Sequence, residues 1–184
     1  MKNESSMKVF FVSFPFDEKN SGDYDYCQKI VNGINQINPS SAEYVTGDKI
    51  GFQVADKDNL ISELIKYRNN GGKQFYDQLV KYYTDPLRIK LATQIKEYIK
   101  LNKATQNILN LQFRPPETGF IFSPEDLEDL KVDGFKICIT CHEYKLNYDR
   151  RWLQTISHPY FQISDLVLFF NEKDIKNACA KESA

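Results

Sequence analysis

The chain has 184 residues, of which 41% are hydrophobic and 27% charged, a composition typical of a globular protein with a buried core. A formal net charge of -1 argues against a general binder of nucleic acid or of anionic membranes. No apolar run approaches the ~20 residues that span a bilayer. The four cysteines favour reduced thiols over a disulfide scaffold, and we therefore expect a cytoplasmic protein.

The first third of the chain predicts strand, helix and strand, in that order. Lys8 to Phe14 is an apolar run that predicts a first strand rather than a signal peptide, because no cleavage site follows it. A helix with one apolar stripe runs to about Gln36. Extended segments are expected at Glu43 to Thr46 and, with a weaker pattern, at Ile50 to Val54.

Residues 56–104 have the periodicity of helices. Leu60 and Leu64 mark the first helix, Phe75 and Leu79 the second, and Asp85-Pro86 is a capping pair that opens the third. No repeat or linker divides the chain, so we expect one domain over residues 1–184 with this block as a helical insertion.

The last part of the chain alternates apolar strands with helices. Helices are predicted from Ser123 to Lys131 and from Glu172 to Ala180, the second one capped by Asn171. The predicted strands are Ile108–Gln112, Lys136–Cys141 and Leu166–Phe170. Continuously apolar strands that alternate with helices indicate an α/β fold, a Rossmann-like parallel sheet flanked by helices.

The segment Cys138-Ile-Thr-Cys141-His142 has the spacing of a haem-attachment, redox or zinc motif. On a strand, however, residues three apart point to opposite faces, so the two sulfur atoms cannot share a metal ion or a porphyrin. No second cysteine pair completes a zinc site. We therefore predict no metal site and no cofactor from this motif.

Ligands of parallel sheets bind beyond the carboxyl ends of the strands, and polar residues follow several predicted strands here. His142 and Glu143 could position a hydroxyl or a phosphate group, or they could simply cap loop amides. The helix start at Gly22 could approach an anion. The other candidates for this edge are Arg114, Glu117, Arg150 and Asn171.

Some of these candidates have simpler interpretations. Arg150 and Arg151 could bind a phosphate, but they also suit a solvated helix start. Asn171 is most simply a helix cap, and His158 a packed or loop histidine. No dinucleotide-binding glycine motif, P-loop or nucleophile elbow is present.

The segments ITCHEYKLNYDRRWLQ and DLVLFFNEKDIKNA resemble the N-terminal domain of GT-B fold glycosyltransferases, particularly the GT4-like group. In that family one strand ends in a His-Glu pair, and a later strand ends in an asparagine-acidic turn before a helix. The order and spacing match over about residues 106–180. The resemblance implies an acceptor-side domain that transfers sugar only with a donor-binding C-terminal domain, which this chain lacks.

The resemblance also implies roles for residues. His142 would contact the sugar near the reacting centre, Gly22 would contact the donor phosphate, and Glu143, Glu117 and Arg114 would line the acceptor side. The partners would be a nucleotide-sugar donor, a sugar or other hydroxyl acceptor, and a partner domain or a second copy. GT-B enzymes need no bound metal, so the resemblance adds no cofactor.

Two alternatives remain open at the level of sequence. One is a non-catalytic Rossmann-like binding or regulatory module, because a fold does not by itself dictate a reaction. The other is a different small α/β enzyme in which His142 and Glu143 serve as acid and base.

Overall fold

The computed structural model describes residues 6–12, 22–47, 49–52, 86–113, 121–141, 159–170, 172 and 175. Within these ranges, five strands form one sheet, which three longer helices and a short helical segment at residues 159–163 connect or flank. The strands are β1 (Met7–Val12), β2 (Ala42–Val45), β3 (Gln106–Phe113), β4 (Phe135–Cys141) and β5 (Leu166–Phe169). The helices are α1 (Gly22–Ile37), α2 (Pro86–Leu101) and α3 (Pro124–Val132).

All strand pairs are parallel, and the strand order is β2-β1-β3-β4-β5. The chain leaves β1 toward β2 on one side and later returns to place β3 on the other side. The strand order therefore reverses between β1 and β3, which is where doubly wound sheets form a crevice. The predicted α/β, Rossmann-like fold with a parallel sheet is confirmed.

The larger core lies on the face of the sheet that α2 and α3 cover. Odd-numbered side chains of β3 and β4 point to this face because successive side chains of a strand alternate. Leu109, Ile137 and Ile139 are buried there against Ile95 of α2 and Leu127 of α3. Each such side chain contributes roughly 1.5–3 kcal/mol by leaving water, so this face supplies much of the fold's stability.

The opposite face is covered by α1. Val9 and Phe11 of β1 and Tyr44 of β2 pack there against Cys27 and Val31 of the helix. The apolar stripe that predicted this helix is therefore the side that contacts the sheet. Because α1 follows β1 directly in the chain, its first residue lies toward the carboxyl ends of the strands.

Helix α3 begins and ends as its sequence predicts. Ser123 is the N-cap and forms a capping box with Asp126, and Pro124 occupies the first turn. Beyond the helix, Gly134 has φ of 89°, and its amide donates to the carbonyl of Lys131. A side chain at this φ would be strained, so glycine suits the sharp entry into β4.

Most of the other predicted elements agree with the structure in type and within two residues at each end. The weak extended segment at Ile50 to Val54 is wrong in its described part, because residues 49–51 form a turn in which the Phe52 amide donates to the carbonyl of Gly47. The first two helices predicted for the block at 56–104 lie outside the described residues, and the third is α2. Two residues of the helix predicted from Glu172 to Ala180 are described, Glu172 and Ile175, and both are helical.

Candidate functional site

The carboxyl ends of the strands form one edge of the sheet, which we call the carboxyl edge. It is made by Val12 of β1, Phe113 of β3, Cys141 of β4 and Phe169 of β5. Cys141 and Phe169 are register partners, so β4 and β5 end side by side. The chain therefore leaves β4 and β5 at neighbouring points on this edge.

Among the predicted site residues, the structure places Gly22, which is the first residue of α1. The backbone amides of a helix's first turn have no partner within the helix, and they carry a partial positive charge. The remaining predicted site residues follow strands that end at the carboxyl edge, but they lie outside the described residues. They are Arg114, Glu117, His142, Glu143, Arg150 and Asn171.

The two cysteines of the Cys-x-x-Cys segment lie on opposite faces of β4, as predicted. Cys141 belongs to the core beneath α2 and α3, whereas Cys138 faces the side that α1 covers. Burial raises the pKa of the Cys138 thiol to about 11, so the group is neutral at physiological pH. Within the ranges that the structure describes, no three potential ligand side chains are grouped so that they could hold a metal ion.

Sequence reasoning missed a group of polar side chains on the α1 face of the central strands. We call Asn110, Gln112, Cys138 and Thr140 the polar cluster. Asn110 and Thr140 are only 6% and 2% exposed, although buried parallel strands are usually apolar on both faces. The signal in the sequence was the recurrence of amides at alternate positions of β3, in QNILNLQF.

Hydrogen bonds join the polar cluster. The Gln112 amide nitrogen and the Thr140 hydroxyl both donate to Oδ1 of Asn110, at 2.5 and 3.1 Å, and Nδ2 of Asn110 donates to the Cys138 sulfur at 3.3 Å. The cluster lies on the face that α1 covers, because Asn110 shares its side of β3 with Ile108, which packs against the α1-facing core. Burial and then the Cys27 and Cys138 thiols raise the pKa of Tyr26 on α1. The polar cluster thus lies on the α1 face of the sheet, and the register partners Gln112 and Thr140 are its members closest to the carboxyl edge.

A second polar group, on the other face, fixes the chain that leads from β3 to α3. The buried Arg88 guanidinium donates to the carbonyl of Ile121 at 2.8 Å and to the carboxylate of Asp126 at 3.1 Å. The Tyr160 hydroxyl donates to the carbonyl of Phe122 at 3.0 Å. These bonds hold the end of the segment on which Arg114 and Glu117 were predicted as site residues.

Asp126 is the centre of that group. Burial alone would raise the pKa of its carboxyl, but hydrogen bonds from Lys96, Ser123 and Arg88 outweigh burial and lower the pKa. The Lys96 ammonium approaches it to 2.5 Å. A carboxylate with these partners serves to join α2 to α3, and it is not poised to accept a proton.

A family model matches the larger part of the chain. The model of a family described as Dot/Icm T4SS effector Ceg32/SidI matches residues 67–183, which is more than half of the chain. No curated protein matches the chain. In the described ranges, no helix is long and apolar enough to cross a membrane.

The family match overturns the resemblance to GT-B glycosyltransferases. That resemblance covered about residues 106–180, which lie inside the matched range, and the matching family there is an effector family. Acceptor-side sugar transfer was therefore wrong as the predicted function, and so was its alternative, a non-catalytic Rossmann-like module. Polar residues after buried parallel strands are common to many doubly wound folds, so their order and spacing did not identify a family.

Several predictions are not tested by this match. They are the roles of the seven predicted site residues, the nucleotide-sugar and acceptor partners, and the extent of the domain. The matched range includes α2, α3 and the three strands from β3 to β5. The chain belongs to the Dot/Icm T4SS effector family Ceg32/SidI.

Proposed function

We propose that this protein is delivered by the Dot/Icm type IV secretion system into the cytoplasm of a recipient cell, where it binds a phosphate-bearing ligand at the carboxyl edge. Family membership is the observation that supports delivery. Helix α1 begins at Gly22, toward the carboxyl edge, and this position supports a phosphate as the group that is bound.

The place of the ligand follows from the topology. In open parallel sheets, ligands bind outside the carboxyl ends of the strands where the strand order reverses, and here that point lies between β1 and β3. Helix α1 follows β1 and packs over it through Cys27 and Val31. Its first turn therefore lies beside the proposed crevice, where the positive end of the helix dipole favours an anion.

The chain segments that follow β3, β4 and β5 at the carboxyl edge carry the side chains proposed to complete the site. Arg114 follows β3 directly and Arg150 comes between β4 and β5 in the chain, and both arginines are proposed to neutralise a phosphate. His142 follows β4 directly, and Glu143 is its neighbour in the chain. Glu117 and Asn171 are proposed to line the same crevice.

Delivery is tested with a reporter enzyme that gains activity only inside the recipient cell. The reporter is fused to the full chain and expressed in bacteria with either a working or an inactivated Dot/Icm system. We expect a signal that depends on the working system. An equal signal from both strains, or none from either in the presence of the expressed fusion, contradicts delivery.

The ligand class is tested separately, by titrating the purified full chain with propyl phosphate in a calorimeter. Saturable binding is expected, and binding should weaken as ionic strength rises because the attraction is largely electrostatic. No heat of binding at millimolar propyl phosphate contradicts a phosphate site.

A further inference from the structure

Strand β5 is an outer strand of the sheet that lacks the usual protection of such strands. It pairs with β4 on one side, and within the described ranges nothing pairs with its other side. An outer strand presents N–H and C=O groups that can bind another strand, and charged side chains normally discourage this. The opposite outer strand, β2, carries Glu43 with its lysine partners Lys8 and Lys49. The four residues of β5 include no charged residue and no proline.

One face of β5 is also exposed. Leu166 and Leu168 are 53% and 41% exposed, and Phe170, the residue after the strand, is 54% exposed. Side chains two apart share a face, and the contact between the Phe170 and Tyr26 rings identifies it as the face that α1 covers elsewhere. The odd-numbered side chains of β5 pack against the larger core on the other face. We call Leu166, Leu168 and Phe170 the β5 stripe.

The β5 stripe belongs to a larger apolar surface. Ile175, in the helical segment that follows β5, is 44% exposed, so four large apolar side chains are exposed within ten positions of the chain. Exposed apolar residues that are scattered singly need no explanation, but a contiguous group of them marks an interaction surface. The outer side of β5 is therefore suited to bind a strand that carries a similar apolar face.

The two ends of β5 carry opposite charges. At its start, the carboxylate of Asp165 lies between two lysine ammonium groups, at 3.3 and 3.5 Å, so this end is net positive. The side chain of one of these lysines, Lys136, is 72% exposed. Beyond the other end, Glu172 is exposed, and the charges of Lys173 and Asp174 after it cancel. Two antiparallel copies of β5 would therefore place a positive end against a negative end twice.

We propose that β5 pairs with β5 of a second copy of this chain, antiparallel and about a twofold axis, so that the two sheets become one. The pairing is centred on Leu168, which lies opposite its own copy, while Leu166 lies opposite Phe170 of the second copy. Each residue of the β5 stripe then faces another residue of the stripe, and such cross-strand pairs stabilise a sheet. The same register brings Lys136 of each copy toward Glu172 of the other.

The size of this surface predicts a weak dimer. One short strand and the start of one helix lie at the low end of the roughly 1,000 Å² that specific interfaces bury, so we expect a dissociation constant on the order of micromolar. The carboxyl edges of antiparallel copies point in opposite directions and stay open. Dimer formation is therefore independent of the proposed phosphate site and is tested separately from it.

Sedimentation equilibrium of the full chain tests the proposal. The mean mass should rise with concentration from 21.5 kDa toward about twice that value. Leu168→Lys places like charges opposite each other and should raise the dissociation constant about tenfold or more. Leu101→Lys is the matched control, because it makes the same change at an 85% exposed residue at the end of α2, and it should leave the dissociation constant unchanged.

An exchange of charges tests the register. Lys136→Glu and Glu172→Lys should each weaken the dimer severalfold, and the double variant should recover most of the loss because opposite charges meet again. Circular dichroism establishes that each variant is folded. A mass of one chain at every concentration overturns the proposal, and this arm needs no variant to fold. A dimer that Leu168→Lys leaves unchanged, or a folded double variant that recovers nothing, also overturns it.

Discussion

At the scale of single residues, the partly buried carboxylates in the described part of the molecule serve as structural groups. Glu43 on β2 forms ion pairs with Lys8 at 2.9 Å and Lys49 at 2.7 Å, and it accepts a hydrogen bond from the Tyr98 hydroxyl. Burial alone would raise the pKa of Glu43, but these partners lower it to about 2. Burial and then Glu43 raise the pKa of Tyr98 to about 12. The group joins β1, β2 and α2.

This arrangement predicts a pH dependence of stability. The pKa of Glu43 is lower in the folded protein, about 2 against 4.5 for the ordinary group, so its contribution is complete above pH 4.5 and is lost as pH falls toward 2. The loss should reach about 2 kcal/mol in the free energy of unfolding. Urea unfolding of Glu43→Gln should show a weaker dependence between these pH values. The exposed Glu97→Gln is the control, and a Glu43→Gln curve parallel to that of the unaltered protein would contradict this assignment.

At the scale of elements, helix α3 is the clearest case in which local sequence determines structure. The Ser123 hydroxyl accepts from the amide of Asp126, whose carboxylate accepts in return from the amide of Ser123. Ser123→Ala removes the cap and should lower the free energy of unfolding by about 1 kcal/mol. Thermal or urea unfolding measures the change, and Ser123→Thr, which keeps the hydroxyl, should recover most of it. Equal stability of the alanine variant and the unaltered protein would rule out this contribution of the cap.

The helices and strands also show which features of the fold the sequence could predict. Apolar runs located the strands, and side-chain alternation separated Cys138 from Cys141, because both depend on local chemistry. The strand order could not be read in this way, because pairing joins residues far apart in the chain, such as Val12 and Leu111. The polar cluster was missed because its members become neighbours only when β3 and β4 pair in register.

The candidate site was predictable only in part. The parallel fold predicted that the strands preceding the predicted site residues end along one edge. The pairing of Cys141 with Phe169 confirms this for β4 and β5. The position of Gln112 beside the end of β1 depends on the step between β1 and β3, which is a property of the assembled sheet. The family was not evident, since strand-end residues of similar type occur on many parallel sheets.

At the scale of the whole molecule, the two edges of the sheet differ in what they offer a ligand. The carboxyl edge combines the reversal of strand order, the start of α1 and the outer end of the polar cluster. At the amino edge, the ends of α2 and the turn after α3 are joined by the ion pair between Lys100 and Asp133, and Lys136 pairs with Asp165. Paired charges attract an anion only weakly, so we propose binding at the carboxyl edge.

Backbone amide chemical shifts, recorded while the full chain is titrated with propyl phosphate, test that assignment most directly. We expect saturable shifts that are largest at Gly22 and in the first turn of α1, with smaller shifts at Val12 and Gln112. Shifts concentrated at the amino edge, around Gln106 and Phe135, or no shifts at all, would contradict it.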